Sequence, residues 1–570
     1  MTVALFLNKL YDDLQSDQER LTFKEYCESY VHHLFEARDD DTLCKGMIAL
    51  STLLQGPSEV GTGLVSSSGA LSIMVEMAKS SDISMQKIAL DCIIDSSNKS
   101  ASCMSLLKDG SSALETLFNS KEESIRARAL VGLCKAASSG GADASMKPLN
   151  SEHMLGLADE CMYFILAKDP TLRKCGIEAI SYLSLDADIK QDICSNKDVL
   201  TALFDVAKTS DQSVMYAVAH ILVNLTNSYD KPDPNPEMEK LAKFAKHHVP
   251  EAHPLDSEEC VKQRVAVLVN FGVAAALVDC HKSQSQSVRE SFSRVYLALS
   301  VEKRQCGILV QQGAVKPLLS LANEGNRVGR LIAAQALARI TIRINPEQAF
   351  PGQRILEVIR PLVSLLHVDC KALQNFEALM GLTNLCHVSN TVINKIVKDK
   401  HFAKIEQHMY EEHEQIRLAA VQCMVNLLHS EEVITKFKGE NERIKLLTLF
   451  CGELYEDDDD VELPLAASGA LAILSEDEEI CHKIVEITKF LEIFQEISLN
   501  PNLELVYRAL YIISNIVEVC TDTAALICDS EFLEIFIAYS KRVRESNDKI
   551  VDKANEILKK FEQQKLIKAA

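Results

Sequence analysis

The sequence predicts an all-α fold of the armadillo/HEAT type, a right-handed superhelical solenoid. Three observations predict it: a helix-forming composition, an apolar cassette recurring at a near-constant period, and no sustained period-two alternation that would mark strands.

The composition comes first. In 570 residues there are only 14 prolines and 21 glycines, aromatic content is 6%, and tryptophan is absent. Hydrophobic residues make up 47% of the chain, enough to fill an extended aliphatic core. The net charge of −21 argues against a nucleic-acid binder, since phosphate neutralisation needs a basic face. No apolar run reaches the roughly 18–20 residues of a membrane helix, and the apolar stretch Val3–Leu7 is too short for a secretory signal. The 18 cysteines are scattered without a C-x-x-C pair; Cys92, Cys134, Cys175, Cys386 and Cys423 sit among aliphatics. They read as small hydrophobes kept reduced in a cytoplasmic protein.

The repeat comes second. The cassette places Ala six residues before a register position, an aliphatic two before it and another one after it. Ala378–Leu382–Asn384–Leu385, Ala420–Met424–Asn426–Leu427 and Ala509–Ile513–Asn515–Ile516 are clear examples. The register runs through Thr52, Cys92, Gly132, Tyr182, Asn224, Ala298, Arg339, Asn384, Asn426, Ile473 and Asn515. Eight of the ten steps are 40 to 47 residues, the period of armadillo and HEAT units. Many units open on a glycine turn, as in Gly69-Ala70-Leu71 and Gly313-Ala314-Val315. No helix pair buries its own apolar face, so stacked neighbours must complete the core.

Two long steps mark departures. One contains Ser138-Ser139-Gly140-Gly141, the expected boundary between armadillo repeats at 1–150 and a second repeat domain at 151–570. The other carries Pro232, Pro234, Pro236, Pro250 and Pro254, so an insertion without continuous helix is expected at 228–264. A short break is expected from Asn345-Pro346 to Pro351-Gly352, an acidic loop at Glu456–Asp460, and an amphipathic cap from Lys541 to Leu566.

The cassette geometry points to a groove. Its apolar positions form one stripe, and the register position lies about 125° from the stripe centre at ~100° per residue, near the solvent edge. Four of eleven register residues are Asn, which has mediocre helix propensity and no apolar area to bury. Such amides could pair with the backbone of an extended partner, or could tie adjacent helices together. The groove reading makes Asn224, Asn227, Arg339, Asn384, Asn426 and Asn515 the candidate contacts. Beside them lies a local basic excess: Arg327, Arg330, Arg339, Arg343, Arg354 and Arg360 against only Glu347 and Glu357. Arginine is a favoured interface anchor, so this stretch is a candidate basic patch.

Catalytic patterns are missing. There is no phosphate loop, no G-x-G-x-x-G and no H-E-x-x-H. His247, His248, Glu251 and His253 lack zinc-ligand spacing and read as surface or loop-ordering residues. The expectation is a binding protein without catalytic centre, metal or cofactor.

Several stretches carry a family resemblance. Asn224-Leu-Thr-Asn227-Ser-Tyr-Asp230, the insertion Ala242-Lys-Phe-Ala-Lys-His247-His248-Val-Pro250-Glu251-Ala-His253-Pro254, Ala349-Phe-Pro351-Gly352-Gln-Arg354 and Asn375-Phe-Glu377-Ala378 resemble the UCS-domain myosin chaperones. The likeness covers roughly three-quarters of the chain from about Leu155, and residues 1–150 are more loosely similar to the family's central armadillo domain. The resemblance implies a chaperone that engages the myosin heavy chain motor domain through its groove, without nucleotide hydrolysis. It also implies Hsp90 or Hsp70 as partners, which longer members bind through an amino-terminal TPR domain. No 34-residue TPR unit precedes the solenoid here, so recruitment by that route is not expected of this chain. The competing reading is a generic armadillo adaptor for another extended peptide. Importin-type grooves pair Asn with Trp, and the lack of Trp counts against that class.

Overall fold

The computed structural model describes residues 2–568 apart from 38, 68, 97–111, 139–150, 210–211, 231–243, 245–252, 440, 454–460 and 542–548. Among the described residues the chain is helical throughout, with no strand. It forms two compact units, Met1–Leu299 with Gln311–Pro317, and Ser300–Val310 with Leu318–Ala570.

Each of the eleven register positions falls in a helix. In the first unit these are α1 (Asp40–Gln55), α2 (Ile83–Ser96), α3 (Glu123–Ala137), α4 (Pro170–Leu183), α5 (Gln212–Leu225) and α6 (Gln286–Leu299). In the second they are α7 (Arg327–Arg343), α8 (Ala372–Val388), α9 (Glu414–Leu427), α10 (Glu462–Leu474) and α11 (Leu503–Val519). A further helix, α12 (Lys549–Gln563), ends the series. Within each unit every one of these helices packs on the next, so they form a ladder while shorter helices fill the opposite side.

The cassette explains the ladder's core. Ala378, Leu382 and Leu385 of α8, Ala420, Met424 and Leu427 of α9, and Ala509, Ile513 and Ile516 of α11 are all at 0% exposure. Burying each of the larger side chains stabilises by about 1.5–3 kcal/mol, so the stripe fixes which face each helix turns inward. Local signals set the helix starts. Asp39 accepts the Thr42 N–H at 2.9 Å, Asn326 accepts that of Gly329 at 2.7 Å, and Asp169 caps α4 ahead of Pro170. The unit-opening glycines have left-handed backbones, φ +66° at Gly69 and +87° at Gly313, which a side chain would strain. In α12, Ile550, Ala554, Ile557 and Phe561 form the buried face, as an amphipathic cap requires.

The ladder helices on the two sides of the boundary expected near 138–141, α3 and α4, pack on each other within the first unit; residues 139–141 lie outside the described residues. Within the insertion expected at 228–264 a helix begins at Glu258, where Glu258 and Glu259 place negative charge in its first turn. Of its prolines only Pro254 is described, opening a short turn whose Leu255 N–H donates to His253 Nδ1 at 3.3 Å. His247, His248 and Glu251 lie outside the described residues, as do the acidic loop at 456–460 and residues 542–548 of the cap. Of the singled-out cysteines, Cys92, Cys134, Cys386 and Cys423 are buried and Cys175 is half-buried. No single helix among the described residues is long and apolar enough to cross a membrane.

Candidate functional site

The register asparagines share one arrangement. Each projects from the carboxyl-terminal half of its ladder helix toward the end of the helix before it. Asn384 Nδ2 donates to the carbonyls of Thr341 and Ile342 at 3.2 and 3.4 Å, and Asn426 Nδ2 donates to Thr383 O at 3.0 Å. Asn224 and Asn515 reach a serine hydroxyl instead, Ser184 Oγ and Ser475 Oγ, both at 2.9 Å. Each serine caps its helix and passes its own proton to a carbonyl three residues back, Ser181 O and Ala472 O. The last carbonyls of a helix have no partner within it, so at the end of α7 the Asn384 amide from the next repeat fills a standing vacancy.

This arrangement commits one face of each amide to the stack. Asn384, Asn426 and Asn515 remain half-buried. Asn224 departs from the expected solvent edge, being 1% exposed. The reason is local. The chain after α5 turns back through Asn227, which takes a left-handed φ of 49°, and Ser228 N–H donates to Val223 O at 2.9 Å. Arg264, also 1% exposed, then closes the helix end by donating from Nε to Leu225 O at 3.2 Å.

Asn227 likewise faces inward. Its Oδ1 accepts from Lys190 Nζ at 2.8 Å and Arg264 Nη2 at 3.3 Å. Asp256 completes the cluster, 2.9 Å from each cation. Burial alone would raise the Asp256 pKa; Lys190 above all, with Arg264 adding, outweighs it and holds the carboxyl below its ordinary value. Asn224 and Asn227 therefore take part in the packing of the first unit.

Arg339 bridges α7 to α8. Its Nε donates to Glu377 Oε1 at 2.9 Å, and Gln335 Nε2 holds the other oxygen at 2.8 Å. The basic stretch around it does not form one patch. Arg327, Arg330 and Arg360 line a common pocket, Arg343 lies along α7 donating to Arg339 O, and Arg354 is exposed on a short helix outside that pocket.

An open groove of ≈ 730 Å³ runs across α8, α9, α10 and α11, all within the second unit. Thr383 and Asn426 lie at one end and Tyr507, Arg508 and Tyr511 at the other, with Gly469 and Ile473 on its floor. Ile473 is a register position, and Tyr507, Arg508 and Tyr511 lie eight, seven and four residues before the register position Asn515. Helical spacing puts these on the face beside the register position and away from the core stripe. Three carboxylates, Glu462, Glu476 and Glu504, face one guanidinium, Arg508. Arg508 Nε donates to Glu504 Oε1 at 2.9 Å and its Nη1 to Leu465 O; Tyr511 Oη donates to Glu476 Oε1 at 2.9 Å. That bond first, then burial, raises the Tyr511 pKa, so the phenol stays protonated as a donor. The Tyr507 and Tyr511 rings stand 6.3 Å apart. Lys549 and Lys553 of α12 sit over them at 5.6 and 4.8 Å. The surface is aromatic with three carboxylates in its lining and cations beside them, suited to an extended segment with apolar and polar side chains.

Of the sequence candidates, only Asn426 lines this groove. The tyrosines, Arg508 and the three glutamates were missed because only the register position itself was followed. The signal that could have found them is the i, i+4 tyrosine pair upstream of Asn515.

A family profile described as "Myosin-binding striated muscle assembly central" matches residues 1–161. Protein unc-45 homolog B of Xenopus laevis is 40% identical over 572 residues, covering 98% of this chain and 61% of the relative. The solved structure of UNC-45 from Drosophila melanogaster is 37% identical with a TM-score of 0.82, covering 99% of this chain and 72% of that one. The structure of the myosin chaperone UNC-45 from C. elegans in complex with a Hsp90 peptide is 32% identical with a TM-score of 0.80, covering 98% and 59%. The chain thus spans 61% of the length of the curated relative from Xenopus laevis.

Proposed function

The chain belongs to the UNC-45 family, and from that premise we propose that it is a chaperone module that binds the myosin motor domain through the groove across α8–α11. The observation that carries this reading is the groove lining itself: two half-buried tyrosines, the small side of Gly469 beside Ile473, and three carboxylates to one guanidinium. Such a face engages a non-native extended segment by stacking, cation–π contact and hydrogen bonds at the ladder's edge. Binding and release need no bound nucleotide or metal in this proposal, and holding exposed client surface is what suppresses its aggregation. The same proposal includes Hsp90 and Hsp70 as partners in folding the client, on the strength of the C. elegans relative solved with an Hsp90 peptide and with an Hsp70 peptide. It places the chain in the cytoplasm.

Within the groove, Asn426 offers its remaining polar capacity while its amide stays tied to Thr383 O. Asn384, Asn515 and Arg339 are proposed as supports that hold the groove-bearing helices in register. The test is heat aggregation of a purified myosin motor domain, without ATP, with and without the chain. Suppression that is lost in Tyr507→Ala, at an unchanged melting temperature, supports the groove. Full suppression by Tyr507→Ala overturns it, and suppression of unrelated aggregating proteins to the same degree points to a general holdase or adaptor instead.

A further inference from the structure

We propose that the arginine pocket of the second unit binds a dianionic phosphoryl group, a site separate from the groove. The pocket, ≈ 310 Å³, lies between α7 and the segment that follows it, with Arg327, Arg330, Arg360, Asn323 and His367 in its lining. Three guanidinium groups face one space in a chain of net charge −21. Only Arg327 has a carboxylate partner there, Asp369 at 2.6 Å. Among the described residues the side chains of Arg330 and Arg360 form no ion pair and no hydrogen bond. The pocket therefore carries three cations against one anion before any ligand arrives.

Like charges drawn to one concavity repel each other, and an anion between them turns that repulsion into charge-assisted hydrogen bonds. The wall is also pre-formed. His367 Nδ1 accepts the Asp369 N–H at 3.1 Å, which leaves Nε2–H as the imidazole's remaining donor. Asn375 Nδ2, in the first turn of α8, holds the turn by donating to Leu365 O at 2.7 Å and His367 O at 3.4 Å. Guanidinium forks match the tetrahedral oxygens of a phosphate monoester, whose two negative charges balance the excess of two positive ones. A carboxylate ligand would leave one cation unpaired. That favours the phosphoryl group.

Isothermal titration of the full chain at fixed ionic strength tests the site. The ligands are inorganic phosphate and a phosphoserine peptide with uncharged flanks, the unphosphorylated peptide serving as control. The expected result is saturable one-to-one binding, weakened by about tenfold or more in Arg330→Gln/Arg360→Gln and unchanged in Arg354→Gln. A peptide tighter than inorganic phosphate assigns the site to a phosphorylated protein segment; equal affinities assign it to the free phosphoryl group. Absence of saturable binding, or binding in the double variant equal to the parent, overturns the proposal. If the double variant melts early, Arg360→Gln alone carries the same comparison.

Discussion

Two cation pairs in this chain have opposite fates. Lys190 and Arg264 in the first unit are 0% and 1% exposed, yet each has a carboxylate, an amide oxygen or a backbone carbonyl within hydrogen-bond distance. Arg330 and Arg360 in the second unit are exposed, and no acid answers them among the described residues. Charge density along the sequence favours the second pair and hides the first, because Asp256 lies 66 residues from Lys190. The difference teaches that a buried charge marks structure when its partners are complete, whereas an exposed charge without partners marks a place for something else.

Substitutions can break that contrast. The largest effect is expected for Asp256→Ala, which leaves two buried cations without their carboxylate and costs about 3–5 kcal/mol. Thermal melting should show a marked loss, and hydrogen exchange should localise it to the end of α5. A melting temperature equal to the parent's would show the cluster to be incidental. Next comes Arg339→Glu, which sets a second carboxylate against Glu377, itself 7% exposed, and should cost roughly 3 kcal/mol. Asn384→Ala leaves the Thr341 and Ile342 carbonyls without their donor, for about 1 kcal/mol. Arg330→Gln/Arg360→Gln removes no bond within the protein and should stay within about 0.5 kcal/mol of the parent. If it melts instead like Arg339→Glu, the two regions are not different in kind.

Acid provides the gentlest probe. Burial alone would raise Glu556 of α12, but Lys553, Ser514 and Lys560 outweigh it and bring its pKa to about 2. A carboxyl depressed in the folded state stabilises fully above its ordinary pKa near 4.5, and that contribution fades as pH falls toward about 2. Fraying of α12, read by hydrogen exchange, should therefore increase across that window. Glu556→Gln should fray at neutral pH and lose the acid response. Equal protection of α12 at pH 6 and pH 2.5 would sink this account.

Much of the fold was legible because it is written in period and stripe. The positions six before, two before and one after the register mark are core in α8, α9 and α11 alike. The site was less legible, for a physical reason. Periodicity gives the angle of a residue on its own helix, and Asn224 and Asn384 share that angle. What separates them is the chain that follows: the turn at Asn227 and the return of Arg264 close the end of the helix that carries the first, whereas the second stays half-buried among the described residues. Likewise six arginines within one stretch of sequence divide among a bridge to Glu377, an open pocket, a short exposed helix and, for Arg343, a bond along α7 to Arg339 O. Contacts between segments tens of residues apart decide those fates, and no local pattern encodes them.

The amide ties also have a direction. Each runs from a later repeat back to the end of the one before it, and from Asn224 onward the series lapses at Ala298, at Arg339, which bridges forward to Glu377, and at Ile473. In a stack where every repeat leans mainly on its neighbours, unequal joints set where cooperativity breaks. The α9–α10 joint, which lacks the tie, lies directly beneath the groove floor at Ile473. The helices at that joint are held by apolar packing without the amide tie that their neighbours carry.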